Sequence, residues 1–340
     1  MPSALDCTYL LPFRRVAYDE IEAAKLRRYF DTVVAERCEI IVIDGSPPDV
    51  FAQNKSAFGN VCRHKAVDRR YRYLNDKVNG VHTGMALASF EKIILADDDI
   101  RYRAGQIAEV LQLLDNYEVV RPQNFLRPLP WWAKMESARM LINRATLRAA
   151  DYPGTCAFRR SAFLACGHYD GDVLFDNEEI IRHFAQHGCA IAYANDLFVR
   201  RRPPTFRKWL EQRPRQAYED FAMRSKTALF FGLPWLLIAT ALRFGLRGIL
   251  SFIVVVSLGS IFIAWRGRAR GRAARFFPLQ CCFFAPLWIA ERMGSTYWAL
   301  YWFLTCGGYP FGDRVLSKGI GRAWWSGAKA ASVQLRHAPK

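Results

Sequence analysis

Several patterns that usually reveal the class of a protein are missing from this 340-residue chain. Its nine cysteines include no Cys-x-x-Cys pair, so neither a metal cluster nor a disulfide framework is indicated. We expect reduced, mostly structural thiols of the kind found in cytosolic proteins. The first residues contain no apolar run of the signal-peptide type, and we therefore expect that the soluble part of the chain does not cross a membrane. No internal repeat is visible.

Acidic residues are also fewer than basic ones. Asp and Glu total 31 against 48 Lys and Arg, which gives a formal net charge of +17. Such an excess is typical of nucleic-acid-binding proteins, but no nucleic-acid-binding motif accompanies it. Much of it instead flanks apolar segments, as in the arginine-rich segment 266–275. Because arginines beside membrane segments face the cytoplasm and its anionic lipids, we expect a membrane partner and no nucleic acid.

Long apolar runs are confined to the last third of the chain. The runs Thr227–Leu242 and Gly248–Trp265 are 16 and 18 residues long and predict a helical hairpin that leaves and returns to the cytosolic side. Two shorter runs, 276–290 and 293–306, fit either tilted membrane spans or helices in the membrane interface. The sequence leaves these two alternatives open.

This distribution predicts three regions. They are a catalytic domain at 1–225, a membrane segment of two to four helices at 226–310, and a basic cytosolic tail at 311–340. The expected location is a bacterial-type inner or plasma membrane, with a multi-pass or hairpin anchor and the catalytic domain in the cytosol.

Strands and helices alternate through the first two thirds of the chain. The β-branched run Cys38–Ile43 predicts a buried strand that ends before Asp44, and the apolar run Lys92–Ala96 predicts another that ends before Asp97–Asp99. Helical spacing between the strands predicts an α/β fold with a largely parallel sheet. Because ligands bind beyond the carboxyl ends of such strands, the two acidic segments are expected to meet in one crevice.

The triplet Asp97-Asp98-Asp99 is a candidate metal site. Two aspartates spaced two residues apart can divide their duties, one holding a ribose and the other binding Mg²⁺ or Mn²⁺ together with substrate phosphates. By itself such a triplet is more often a solvated acidic turn. An EF-hand is excluded, because Arg101 stands where the third ligand should be.

These segments, taken in order, resemble family-2 glycosyltransferases of the GT-A fold over about residues 8–225. The strand that ends at Asp44 resembles the first nucleotide-binding strand of the family, and Lys77 lies in a segment that resembles its lysine-containing segment. The aspartate triplet resembles the DxD motif. The resemblance implies that Asp44 hydrogen-bonds the base and that Asp99 with Asp97 binds the metal. Asp97 and Asp98 are expected to bind the donor. Lys77 either contacts a phosphate of the donor or is an ordinary surface lysine.

Two further motifs carry the resemblance beyond the triplet. The segment 154–170 resembles the acceptor-side strand and helix. The segment Gln212–Arg215 resembles the QxxRW motif, which implies that Gln212 and Arg215 bind the diphosphate and the acceptor. The chain departs from the pattern at Gln216, where the family often has tryptophan.

A second departure concerns the catalytic base. In the family the base belongs to an E-D-x-[DE]-L motif, and alignment places Asn177 at its position, where an amide cannot accept a proton. The neighbouring carboxylates Asp176, Glu178 and Glu179 are the remaining candidates. Asp176 lies nearest the standard position and Glu179 is second. Glu178 is equally consistent with a first-turn glutamate that favours the helix dipole.

The resemblance implies a GT-A, nucleotide-diphospho-sugar transferase domain of Rossmann-like type, followed by transmembrane or interfacial helices. The implied activity is inverting transfer of a sugar, from a nucleotide-sugar with UDP favoured, to a lipid-linked or saccharide acceptor at the cytosolic membrane face. A membrane-bound nucleotidyltransferase is an alternative, but the segment after Pro12 lacks the required glycine-rich loop. A non-catalytic scaffold with a degenerate transferase domain is another, supported by Asn177.

Four aromatic residues remain as weaker candidates. His64 and His82 either line the pocket or serve only as structural histidines. Trp131 and Trp132 either contact a sugar or lipid acceptor or belong to a plain hydrophobic stripe.

Overall fold

A computed structural model describes residues 7–36, 38–147, 155–221, 223–311 and 314–316. Their contacts divide the chain into two units. The first holds the described residues up to Asn124 and those at 155–202, and the second holds those at 125–147 and from Pro203 onward. The predicted boundary at residue 225 thus falls inside the second unit. Most of the predicted tail at 311–340, and Gly154 of the acceptor-side motif, lie outside the described residues.

The first unit is built on an eight-stranded sheet. Its strands are β1 (Cys7–Phe13), β2 (Glu39–Asp44), β3 (Arg63–Ala66), β4 (Lys92–Ala96), β5 (Ile100–Arg101), β6 (Val119–Leu126), β7 (Thr155–Arg159) and β8 (Ile191–Arg201). They lie in the order β3-β2-β1-β4-β7-β6-β8-β5. The apolar runs at 38–43 and 92–96 predicted β2 and β4, and both strands are present.

The α/β class is confirmed, but the expectation of a largely parallel sheet holds for only half of it. β1 pairs in parallel with β2 and β4, and β2 with β3. β7 runs antiparallel to β4 and β6, and β5 antiparallel to β8. Hydrophobic periodicity predicts burial, while the direction of a strand depends on the path of its connection, and this is why the sequence did not predict the antiparallel half.

Both faces of the sheet are covered by apolar side chains. Leu11 and Val42 belong to the cluster on one face, and their chain neighbours Leu10 and Ile41 belong to the other. This double burial is typical of parallel strands and explains their continuous apolar sequences. The helices of this unit are α1 (Glu20–Ala35), α2 (Pro48–Phe58), α3 (Asp76–Leu87), α4 (Gln106–Leu113), α6 (Arg160–Cys166) and α7 (Asp176–Gln186), and α5 belongs to the second unit.

Helices dominate the second unit. They are α5 (Trp131–Thr146), α8 (Phe206–Asp220), α9 (Arg224–Ala269) and α10 (Ala285–Cys306), with two short 3₁₀ turns at 273–275 and 279–284 and a hairpin of β9 (Tyr309–Phe311) and β10 (Arg314–Leu316). A buried arginine of α10, Arg292, lies 3.1 Å from Asp220 of α8. Because a buried charge without a partner is costly, this ion pair fixes α10 against α8.

Helix α9 contains both long apolar runs. Among the described residues, Ser225–Ala269 is the one helix that is long and apolar enough to cross a membrane, by length and composition. Its backbone leaves helical geometry at Gly245, where φ is 57° and ψ is −140°. A Cβ on Gly248 would lie 2.1 Å from the carbonyl oxygen of Thr240. In a straight helix, residues eight apart are about 12 Å apart, so the chain reverses direction at Gly245.

Replacing Gly245 by alanine is expected to destabilise this bend by roughly 1–3 kcal/mol, because a side chain is strained at such a backbone conformation. Gly259 offers a matched control, since it lies in the same helix with no atom within 4 Å of an added Cβ. Gly259→Ala should be neutral or slightly stabilising. Thermal unfolding of both variants in detergent tests the difference, and equal midpoints would contradict the bend.

Candidate functional site

The carboxyl ends of β2, β1 and β4 lie side by side at one edge of the sheet. Both β2 and β4 pair in parallel with β1, and Asp44 at the end of β2 is level with Phe13 at the end of β1. Asp97–Asp99 follow directly after β4. The two acidic segments therefore extend from the same edge, where parallel sheets bind their ligands.

Arg15 joins these two acidic segments, although no sequence pattern singled it out. Its backbone N–H donates to the hydroxyl of Ser46 at 2.9 Å, and its guanidinium donates to Oδ2 of Asp98 at 3.1 Å. The carboxylate of Asp98 is 39% exposed, so it remains accessible from solvent. The pair Arg14-Arg15 directly after the first strand was the available sequence signal, since a cation at a strand end faces the same edge as the aspartates.

Asp44 is held entirely by hydrogen bonds inside the first unit. Its Oδ2 accepts from the amide of Asn54 at 2.9 Å and lies 3.0 Å from Nε2 of His64, while Oδ1 accepts from the N–H of Ser46 at 2.8 Å. Burial raises the pKa of this carboxyl, but the hydrogen bonds outweigh burial and the net pKa lies below its ordinary value. Asp44 is thus ionised and fixed in orientation, and His64 serves as its partner.

Lys77 stands at the centre of the site. Its Nζ lies 2.5 Å from Oδ1 of Asp97, 2.9 Å from Oδ2 of Asp176 and 2.9 Å from Oδ1 of Asn177. It comes from the first turn of α3, whose N-cap, Asn75, accepts a hydrogen bond from the Lys77 N–H. One cation therefore joins the first turn of α3, the end of β4 and the first turn of α7.

The charges of this group depend on one another. Burial lowers the pKa of Lys77, but the carboxylates of Asp176 and Asp97 outweigh burial and raise it above its ordinary value. Burial likewise raises the pKa of Asp97, and Lys77 and Arg201 outweigh it and lower that pKa. Lys77 and Asp97 are therefore both charged, and each compensates the desolvation of the other.

Asp99 lies in a different environment from Asp97. Its Oδ2 accepts from Nε of Arg201 at 2.8 Å, and Nη2 of the same arginine is 3.7 Å from Oδ2 of Asp97. The other oxygen of Asp99, Oδ1, is buried and has no hydrogen-bond partner within the described part of the chain. Burial raises the pKa of Asp99, and the neighbouring charges of Asp97 and Asp98 raise it further, although Arg201 lowers it.

The residues present fit a divalent cation. Mg²⁺ and Mn²⁺ prefer carboxylate oxygens combined with substrate phosphates, and the partnerless Oδ1 of Asp99 is such an oxygen. A cation there would also offset the burial, and the repulsion from Asp97 and Asp98, that raise the pKa of Asp99. Arg201 already contacts both Asp97 and Asp99, so that a metal joining the two carboxylates would compete with its guanidinium.

The base candidates Asp176 and Asn177 both face this charged group. Asp176 is buried at the first position of α7, and burial, together with the charge of Asp97, raises its pKa although Lys77 lowers it. Asn177 accepts from Lys77 and places its amide nitrogen 3.5 Å from Oδ2 of Asp97. The position that the sequence resemblance assigns to the base thus holds a hydrogen-bonding amide, next to the buried carboxyl of Asp176.

The two glutamates that follow are engaged elsewhere. Glu178 accepts from the buried guanidinium of Arg121 on β6 at 2.7 Å. Glu179, the second base candidate, accepts from Arg182 one turn later on the same helix at 2.8 Å. Asp176 and Glu179 therefore have different charged partners, Lys77 and Arg182, although both lie in the first turn of α7.

The chain is similar in structure to several solved glycosyltransferases. A mannosyltransferase from Pyrobaculum calidifontis, solved with GDP-Man and Mn²⁺, is 15% identical over 86% of this chain and 87% of its own, with a TM-score of 0.45. A glucosyl-3-phosphoglycerate synthase from Mycobacterium tuberculosis, solved with Mn²⁺, UDP and phosphoglyceric acid, is 18% identical over 60% of this chain and 72% of its own, with a TM-score of 0.42.

A third similar structure is a mannosyl-3-phosphoglycerate synthase from Rubrobacter xylanophilus, 14% identical over 62% of this chain and 74% of its own, with a TM-score of 0.41. Comparison with protein-family models gave no match, and comparison with curated protein sequences gave none either. At these identities and TM-scores the likeness assigns no substrate and no residue role, so both must rest on the geometry of this chain.

Gln212 and Arg215, the predicted diphosphate-binding pair, lie on α8 in the second unit and are both partly buried. The guanidinium of Arg215 lies 5.1 Å from the ring centre of Phe311, and burial lowers its pKa. Next to them Arg213 is almost fully buried and paired with Glu136 of α5 at 3.0 Å. The substrate-binding role of Gln212 and Arg215 stays a prediction.

The weaker aromatic candidates lie in ring clusters. His82 stacks on His168 with ring centres 4.3 Å apart, and burial lowers its pKa to about 4, so it is neutral at pH 7. Trp131 and Trp132 begin α5 and contact Phe206, and the indole of Trp132 donates to the carbonyl of Pro204 at 3.0 Å. These contacts favour a packing role for His82 and Trp132, while Trp131 stays 44% exposed.

Proposed function

We propose that the chain is an inverting glycosyltransferase that moves a sugar from a nucleotide-sugar, with UDP favoured, to an acceptor at the cytosolic face of a membrane. The observation that carries this proposal is the contact of Lys77 with both Asp97 and Asp176. Through this contact Asp97, which we assign to the metal, and the separate buried carboxyl of Asp176 belong to one charged group beside the end of β4. Metal-assisted sugar transfer needs a metal ligand and a proton acceptor close together.

Each residue has one role in this proposal. Asp97 and Asp99 would hold Mg²⁺ or Mn²⁺, which would neutralise charge on the leaving diphosphate. Asp44 would hydrogen-bond the base, and Asp98 with Arg15 would contact the donor. The acceptor oxygen bonds to the anomeric carbon while the bond from that carbon to the diphosphate oxygen breaks. The nucleoside diphosphate leaves with the electron pair, and the acceptor proton passes to Asp176.

Lys77 and Asn177 are positioning residues in this scheme. Lys77 contacts both Asp176 and Asp97 and lowers the pKa of each carboxyl, since two buried carboxylates without a cation between them would not both stay charged. Asn177 cannot accept a proton, but its amide oxygen receives a hydrogen bond from Lys77. The amide of Asn177 thus helps to hold Lys77 in one orientation. Unlike an aspartate, it adds no negative charge to those of Asp97 and Asp176.

The acceptor is proposed to be lipid-linked or a saccharide bound near the membrane. Two observations on α9 support membrane attachment. Its most apolar 18-residue window has a mean hydropathy of 2.3 and is only 17% buried, and the large side chains of Leu242 and Leu246 are 84% and 69% exposed. An apolar surface of this size is costly in water and favourable in lipid.

Screening of donors by thermal shift tests the proposal directly. One nucleotide-sugar among UDP-, GDP- and CMP-sugars should raise the melting temperature of the detergent-solubilised protein when Mn²⁺ is present, and less without it. At a ligand concentration about 100 times its Kd, the expected stabilisation is about 2.7 kcal/mol.

The screen and a transfer assay together separate the alternatives. Donor binding with sugar transfer to a lipid extract supports the proposal. Binding of UDP with Mn²⁺ but no transfer to any lipid or saccharide acceptor favours a non-catalytic scaffold. Release of pyrophosphate from a free nucleoside triphosphate would instead indicate a nucleotidyltransferase. A failure of every nucleotide to bind would reject both enzymatic functions.

A further inference from the structure

A second group of metal-binding side chains lies at the opposite end of α7 from Asp176. The thiol of Cys166 and the imidazoles of His183 and His187 place their ligating atoms within 4.8 Å of one another. The thiol of Cys189 lies 3.6 Å from that of Cys166. Cys166 at the end of α6 thus lies within 4.8 Å of the two imidazoles of α7 and its C-cap, and Cys189 adds a second sulfur beside that of Cys166.

The separation of the two sulfurs fits a shared metal ion. Two thiolates bound at about 2.3 Å to a tetrahedral zinc lie about 3.8 Å apart, close to the 3.6 Å observed between Cys166 and Cys189. A disulfide would require about 2.05 Å. Both cysteines are free thiols in the structure.

Both histidines already use one ring nitrogen on a backbone carbonyl. Nε2 of His183 lies 3.1 Å from the carbonyl oxygen of Cys166, and Nδ1 of His187 lies 2.9 Å from that of His183. This leaves Nδ1 of His183 and Nε2 of His187 as the remaining nitrogens. Metal-binding histidines commonly donate their second ring N–H to a carbonyl or carboxylate, which fixes the tautomer and the ring orientation.

The backbone is shaped to bring the two cysteines together. Gly167 follows Cys166 with φ of 75°, and Gly188 precedes Cys189 with φ of 76°. Residues other than glycine rarely adopt such angles. After Gly188 the N–H of Cys189 donates to the carbonyl of Phe184 at 3.1 Å, which returns the chain toward the last turn of α7.

We propose that Cys166, His183, His187 and Cys189 form a structural Zn²⁺ site. The mixed set of two thiolates and two imidazoles is typical of four-coordinate zinc rather than of Mg²⁺ or Mn²⁺, which prefer oxygen. On binding, the two thiols release their protons to solvent and the imidazoles bind as neutral rings. The sequence signal is His183-x₃-His187-x-Cys189, which a search for Cys-x-x-Cys pairs does not detect.

Zinc at this position would clamp the end of α7 that lies away from the sheet edge. It would join α6, α7 and the start of β8, and so restrain the helix whose first residue is Asp176. All four ligands are partly or fully exposed, so that the ion can be loaded and removed without unfolding the core.

Metal analysis of the untagged full-length protein in detergent tests the site. We expect about one zinc per chain by mass spectrometry, falling to background in Cys189→Ser and in His187→Ala. Three controls should retain zinc. Cys62→Ser removes a thiol that only donates to the carbonyl of Phe58, His168→Ala removes a nearby histidine outside the cluster, and Asp99→Ala removes the proposed catalytic metal ligand.

If the variants fail to fold, the zinc site can still be tested by binding Co²⁺ to the wild-type chain. After removal of zinc by a chelator, Co²⁺ should restore the melting temperature and give the visible absorption of tetrahedral cobalt bound to thiolate. Absence of zinc from the purified protein, combined with no such absorption, would overturn the site. So would a Cys166–Cys189 disulfide, detected as two thiols that fail to react under denaturing, non-reducing conditions.

Discussion

Asp99→Ala is expected to reduce sugar transfer by roughly 10³-fold or more, because it removes the carboxylate with the partnerless buried oxygen that we assign to the metal. The measurement is transfer from the donor found by thermal shift to a lipid extract with Mn²⁺ present. The Mn²⁺-dependent part of the donor-induced thermal shift should be lost in the same variant. Undiminished transfer would reject the metal assignment.

A matched aspartate separates this effect from a general change of charge. Asp31 lies on α1 and its carboxylate is 57% exposed beside Arg27. Asp31→Ala should leave both transfer and the Mn²⁺-dependent shift unchanged, because exposed ion pairs contribute little. The melting temperature of both variants without ligand reports whether either substitution has damaged the fold.

Asp176→Asn is expected to lower kcat by about 10²- to 10⁴-fold while donor binding persists, because the amide keeps the shape of the side chain but cannot accept the acceptor proton. Donor binding is measured by the thermal shift with Mn²⁺ and turnover by the transfer assay. A loss of donor binding as large as the loss of turnover would show that Asp176 holds the site together and is not the base.

The matched control for this prediction lies on the same helix. Glu179 pairs with Arg182 rather than with Lys77, so Glu179→Gln should retain near wild-type kcat. The opposite result, with Glu179→Gln inactive and Asp176→Asn active, would make Glu179 the base. If both single variants are active, Glu178 is the remaining candidate for the base, although it pairs with Arg121.

The sequence predicted the parts of this site that depend on local pattern. A run of β-branched residues that ends in an acidic turn identified β2 with Asp44 and β4 with Asp97–Asp99, because burial on both faces of a strand requires continuous apolar sequence. The runs on either side of Gly245 identified α9 for the same kind of reason. Length and hydropathy are properties of a segment, and they can be read without knowing what the segment contacts.

The tertiary structure decided which of these side chains meet. Lys77 contacts Asn177 although 100 positions separate them, Arg15 contacts Asp98 across 83 positions, and Cys166 contacts Cys189 across 23. Such contacts depend on strand order, strand direction and the rotation of each helix about its axis. Local periodicity does not encode these quantities, since one apolar pattern is compatible with several strand orders and directions. The sequence by itself therefore determined the candidate chemical groups and the apolar hairpin, and the fold assembled the groups around Lys77 because only packing sets distances between remote segments.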